Sequence, residues 1–118
     1  MWEYVLSDDA ALITFALTDS QVVLVGHSHV ALQVSVDGKG GLAPDGTVVH
    51  FGEMRHLLNP GSVGQPRDGD PRAAWLELDL DTATATFHRV TYDVERTQAE
   101  IRAAGLPEFL AERLAYGQ

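Results

Sequence analysis

The sequence predicts an α+β fold: a largely antiparallel β-sheet with one helix at the N-terminal end and two at the C-terminal end. Three observations predict it. Apolar and polar residues alternate over residues 31–36 and again through 75–92, the period-two pattern of half-buried strands. Glycine-bearing turns at 37–41 and 45–46 separate the strand-like runs. Near both ends the apolar spacing becomes helical, with start and stop residues in place.

Residues 7–18 suit a helix. Ser7 can cap it, Asp8 and Asp9 match the positive end of its dipole, and Leu12, Ile13, Ala16 and Leu17 recur at helical spacing. The run Val22-Val23-Leu24-Val25 is apolar without a break and ends at Gly26, so a strand covered on both faces, central in its sheet, is expected there. Leu32, Val34 and Val36 then face one way and Gln33 and Ser35 the other, and residues 37–41 read as a turn. Val48, Val49 and Phe51 form a further strand after Asp45-Gly46, and Leu57 and Leu58 lead into a shaped loop over 59–71. A hairpin follows, with Leu76, Leu78 and Leu80 on one face, a turn at Asp81-Thr82 and a return strand over 85–92. Asp93 caps a helix over 94–104 that Gly105 stops, and Pro107 opens a last helix carrying Phe109, Leu110 and Leu114.

The 118 residues are read as one domain, 1–118, with no internal repeat or linker. Charge narrows the partners. Seventeen acidic against 8 basic residues give a formal net charge of -9, the wrong sign for nucleic acid or an anionic membrane surface. A phosphate ester is still admissible, because bound divalent cations can supply positive charge locally. With no cysteine, any metal must be held by His, Asp, Glu or Asn. The apolar runs are too short to span a bilayer, and Met1-Trp2-Glu3-Tyr4 has neither the basic start nor the apolar stretch of a secretory signal. A cytoplasmic protein is expected.

The chemistry is concentrated in Gly26-His27-Ser28-His29, at the C-terminal end of the first apolar strand, where strand ends of α/β sheets open into a crevice. On extended backbone, histidines at i and i+2 project from one face and can hold one ion or reach two ions about 3.5–4 Å apart. Gly26 is expected to allow close approach of other loops. The plainer alternative is a pair of half-exposed histidines hydrogen-bonded to backbone or water.

Val22-Val23-Leu24-Val25-Gly26-His27-Ser28-His29 resembles the last metal-binding motif of calcineurin-like metallophosphoesterases, usually strand-Gly-His-Thr-His. Asn59-Pro60-Gly61-Ser62-Val63-Gly64-Gln65-Pro66-Arg67 resembles the loop that follows it in the small bacterial phosphodiesterase branch. Phe87-His88-Arg89-Val90-Thr91-Tyr92-Asp93 and Ala104-Gly105-Leu106-Pro107 resemble that branch's terminal strand and helices. The resemblance covers nearly the whole chain in order. It implies one side of a two-sheet sandwich, with His27 a ligand of one ion, His29 a ligand of the other, and the 59–64 loop bordering the cleft.

That likeness also implies hydrolysis of a small-molecule phosphomonoester or phosphodiester by two divalent ions, manganese foremost, with iron, nickel or zinc as alternatives. No Asp-x-His, Gly-Asp-x-x, Gly-Asn-His or further His-Gly motif precedes residue 26. The expectation is therefore a family member that begins late, inactive alone, associating with a missing N-terminal half or with another copy. No other catalytic residue is assigned. The alternative is a catalytically dead binding or oligomerisation module with a vestigial two-histidine metal site. His50, His56 and His88 are expected to be framework or surface residues, and Arg67 and Arg72 to pair with Asp68, Asp70 or other acids rather than with a phosphate.

Overall fold

The structure is a computed structural model that describes residues 15–17 and 19–118. Seven strands, two helices and a closing 3-10 turn are placed among those residues. The helix expected over 7–18 lies outside the described residues, except for 15–17.

The strands form two sheets. The first has the order β1-β5-β2-β3, with β1 at Val22–Leu24, β2 at Ala31–Ser35, β3 at Gly40–Leu42 and β5 at His56–Pro60. The second has the order β4-β7-β6, with β4 at Val48–His50, β6 at Ala73–Asp79 and β7 at Thr84–Val90. All pairings are antiparallel except that of β1 with β5, which aligns Val22 with His56 and Leu24 with Leu58. The expected α+β class and the hairpin are both present.

Period-two alternation sorts the side chains of the first sheet between two cores. Ala31 and Leu58 face the second sheet and join Ala43, Val49, Phe51, Ala85 and Phe87. Leu32, Val34 and Leu57 face the other way and enclose Phe15. Val22 contributes to the first cluster and Val23 and Val25 to the second, which explains an unbroken apolar run. The cover is partial, since Val22 and Val23 are half-buried on opposite faces and Leu24 is exposed. Nor is the strand central: among the described residues β1 lies at the sheet edge, hydrogen-bonded to β5 alone.

Two readings of glycine- and proline-rich sequence are corrected. The turn after β2 ends at residue 39, and Gly40 and Gly41 belong to β3. A Cβ on Gly40 would lie 2.1 Å from the Gln33 carbonyl oxygen, so glycine is what lets this strand approach β2. Asn59 and Pro60, read as the start of a loop, complete β5, the strand between β1 and β2.

The C-terminal helices follow local rules. α1 spans Val94–Ala103, and the Asp93 carboxylate accepts the Arg96 N–H at 3.1 Å. Its end is a Schellman motif: Gly105 has φ +73°, its N–H donates to the Arg102 carbonyl, and the Leu106 N–H donates to the Ile101 carbonyl. α2 spans Glu108–Glu112 and runs into a 3-10 turn at Arg113–Ala115. Pro107 is the residue before the helix rather than its first turn. The Gly69 N–H donates to the Gly117 carbonyl at 3.0 Å, which returns the chain end to the loop after residue 59.

Candidate functional site

β1 ends at Leu24, and the chain turns sharply through Gly26-His27-Ser28-His29. The backbone here is not extended. His27 has φ +85° and His29 φ +60°, both in the left-handed region that non-glycine residues rarely occupy. The expected projection of both imidazoles from a flat strand is thus replaced by a bend whose unusual dihedrals the surroundings must hold. Such positions concentrate at binding sites because they cost about 1–3 kcal/mol each and persist only where other contacts over-determine them. The expected crowding at Gly26 is not found among the described residues, since a Cβ there meets nothing within 4 Å.

The contacts that hold the bend come from β5 and its following loop. Ser28, between the histidines, is buried, and its hydroxyl accepts a hydrogen bond from Asn59 Nδ2 at 2.9 Å. The other end of that amide, Oδ1, accepts the Gly61 N–H at 3.0 Å. Further along, the Arg67 N–H donates to the His29 carbonyl at 3.0 Å, and His29 Nδ1 lies 2.9 Å from the Gln65 carbonyl oxygen. A carbonyl only accepts, so this bond puts the ring hydrogen on Nδ1. Nε2 is then the nitrogen with the free lone pair.

That arrangement fits a metal ligand. Histidines that hold ions usually donate their second ring nitrogen to a carbonyl or carboxylate, which fixes tautomer and orientation. The backbone bond is also what the plainer alternative for these histidines calls for; it leaves Nε2 unused in either case. His27 is exposed on the same bend, and His29 is half-buried. Among the described residues no group of three or more His, Asp or Glu is arranged to hold an ion.

The side chains of the remaining candidates are engaged elsewhere, although the Arg67 backbone holds His29. His56 Nδ1 is bonded to the Met54 carbonyl, and His88 stacks on Trp75 at 4.3 Å with Nε2 3.2 Å from Glu77. His50 is exposed on β4. Arg72 forms the expected ion pair with Asp70, Nη2 to Oδ2 at 2.8 Å, and reaches Asp45 at 3.5 Å. Its guanidinium holds the Asp70 carboxyl below the usual carboxylate range. Arg67 departs from its expected acid pairing: its guanidinium donates to the Gln65 side chain at 2.6 Å, and among the described residues no carboxylate forms an ion pair with it.

One functional neighbour went unread in the sequence. Arg89 on β7 is ion-paired with Asp68, and the side chains are 3% and 8% exposed. Arg89 Nη1 also donates to the Arg72 carbonyl at 3.2 Å, and Nε is 3.8 Å from Asp70. Burial pushes the Arg89 guanidinium down from its ordinary range, with Asp45 opposing. The signal was present: Ala85, Phe87 and Arg89 fall on one face of a strand, so an arginine points where two apolar residues point and requires an acid partner.

Comparison with known proteins places this two-sheet fold and its bent Gly-His-Ser-His beside part of a larger one. The chain corresponds over its whole length to the C-terminal portion of a metallophosphoesterase. The crystal structure of a metallophosphoesterase from Sphaerobacter thermophilus superposes with a TM-score of 0.95 at 42% identity, covering 100% of this chain and 50% of that one. The uncharacterized protein MJ0912 of Methanocaldococcus jannaschii is 34% identical over 118 residues, 100% of this chain and 47% of its own length. The hypothetical protein PH1004 of Pyrococcus horikoshii shares the fold, with a TM-score of 0.63 at 21% identity over 90% of this chain and 36% of its own. The chain therefore spans about half the length of the first two relatives. No family model matches it. Among the described residues no helix is long and apolar enough to cross a membrane.

Proposed function

We propose that this chain carries the His27 and His29 portion of a dinuclear metallophosphoesterase centre that hydrolyses small-molecule phosphate esters or diesters. The observation that carries the reading is the His29 clamp. Nδ1 is committed to the Gln65 carbonyl, so Nε2 is presented as a ligand in a chain 42% identical to part of a metallophosphoesterase. When bound, a pair of divalent ions supplies Lewis acidity and an activated water for displacement at phosphorus.

The residues of this chain hold and orient. His29 presents Nε2 from a ring fixed by Gln65, and His27 presents its imidazole from the exposed side of the bend. Ser28 and Asn59 anchor that bend to β5. Imidazole donors suit manganese, iron, nickel or zinc, and the cellular supply would decide among them. Two imidazoles alone leave each ion largely water-coordinated. Turnover thus calls for further ligands, contributed by polypeptide that pairs with the edge of β1 left unpaired among the described residues. That edge also favours a second reading, a catalytically silent module that associates through β1, where Leu24 is 51% exposed.

Metal titration of the chain separates the two. Under the first reading, manganese or zinc binds at micromolar to millimolar strength, and His27→Ala and His29→Ala each weaken binding by about tenfold or more. Equal metal affinity in the wild-type chain and in the double variant would sink it and leave the second.

A further inference from the structure

The loop that clamps His29 does not stand by itself. Arg67 and Gln65 make the two backbone contacts to His29, and the next residue, Asp68, is held from the opposite sheet. Arg89 reaches over from β7 and fixes this loop at three points: the Asp68 carboxylate, the Asp70 carboxylate and the Arg72 carbonyl. A third acid, Asp45, accepts the Arg89 backbone N–H at 2.8 Å and lies 3.5 Å from Arg72. Asp68, Asp70 and Arg89 line a cleft of about 260 Å³ that Ala31 and Ala43 also line. Ala31 lies two residues beyond His29, so the ion pair borders the same stretch of chain.

From this we propose that the Asp68–Arg89 pair is a positioning device for His29: it fixes the 65–68 loop from the second sheet, and so sets the tautomer and aim of the imidazole. The proposal rests on the reading of His29 as a metal ligand. Neither residue touches substrate or ion; both act through the backbone of residues 65–67. The physical argument is one of leverage. His29 sits at φ +60°, a conformation that reverts unless external contacts hold it, and the bonds to its ring and to its carbonyl both come from this one loop. Pro66, between the two contact residues, is fully buried and adds no freedom. A buried, charge-assisted pair is a directional anchor for such a loop, because guanidinium and carboxylate lock each other in plane.

Structural and positioning roles give different results in the full 118-residue chain. The variants are Asp68→Asn, Arg89→Lys and the double variant Asp68→Asn/Arg89→Met, which leaves no unpaired buried charge should a single variant fail to fold. Three readouts apply: hydrogen exchange at the Arg67 amide relative to the Phe51 amide, side-chain nitrogen shifts of His29, and zinc affinity. In Asp68→Asn and the double variant, Arg67 protection is expected to fall about tenfold while Phe51 protection holds, and His29 becomes a mixture of tautomers. Zinc affinity drops by about 10–100-fold, the usual loss when a ligand's supporting contacts are removed. Arg89→Lys recovers part of each change. Folded variants that keep Arg67 protection and a single His29 tautomer would overturn the proposal. The exchange and tautomer readouts need no ion, so a wild-type chain that binds no zinc refutes the metal-ligand reading separately.

Discussion

Asn59 Nδ2 donates to the Ser28 hydroxyl at 2.9 Å, so the residue between the two histidines is bonded to the strand beside it. Asn59 is 1% exposed and uses both ends of its amide. Asn59→Ala strands the buried Ser28 hydroxyl, at a cost of about 1–3 kcal/mol, and releases the part-buried Gly61 N–H, which water can reach. Urea unfolding is expected to show a loss in that range. A midpoint unchanged from wild type would mean that water replaces the amide.

Gly61 has φ +88°, and a Cβ there would lie 2.9 Å from that of Ala74. Gly61→Ala combines a left-handed alanine with a contact that must open, for a combined cost of about 1–3 kcal/mol. The same unfolding assay reads it. Gly26→Ala is the comparison: its Cβ meets nothing, and its effect should be distinctly smaller.

Acid should destabilise the fold. Arg72 lowers the Asp70 carboxyl from its ordinary 3.8, Arg102 lowers Glu108 from 4.5, and Asp37 and Asp79 are lowered by hydrogen bonds from Ser35 and from the Thr82 backbone respectively. In each case the folded form binds its proton less readily than the unfolded form. The stabilisation is complete above the unfolded values and disappears as pH falls through the lowered ones. Unfolding free energy is expected to be flat from neutral pH to about pH 5 and to decline below about pH 4. Solvent screens the exposed carboxylates, so Asp70 should weigh most. Stability that increases on acidification from pH 4 to 3 would contradict this account.

Self-association is predicted at the β1 edge. The Val25 N–H donates to the Leu58 carbonyl and the Gln21 carbonyl accepts from His56, so alternate residues serve β5 and the backbone N–H and C=O of Leu24 point to the other edge. Leu24→Lys places a charge on that edge, a device native sheets use against edge pairing. Sedimentation velocity should show association in the wild-type chain and less in the variant. Equal behaviour of the two would assign any association to another surface.

What the sequence made legible was local. The hairpin announced itself through alternation and a polar turn, and α1 through Asp93 at one end and Gly105 at the other. Both are instructions between near neighbours. The pairing of Arg72 with Asp70 belongs to the same class. The features that escaped were set by distant partners. Gly40 is in a strand because Gln33 leaves no room for a side chain, and nothing in Gly40-Gly41 states that. Asn59 and Pro60 have the composition of a loop but complete β5. The Gly-His-Ser-His motif marked the two candidate donors, and the structure puts both on one bend. The left-handed backbone at both histidines, which replaces the flat strand, depends on the clamp by residues 59–67 and has no local cue.

β5 lies between β1 and β2, yet it comes after both in the chain, whereas β6 and β7 are consecutive. Joining distant segments costs more chain entropy than closing a hairpin, so the second sheet should start to form first. Pulse-labelled exchange would show β6–β7 amides protected ahead of those of β1. The two histidines therefore acquire their shape only after a strand made later has slotted in beside them. On the ribosome, where residues 22–25 emerge well before residue 56, that apolar segment waits without its partner, and synthesis speed itself becomes a factor in whether the site is built.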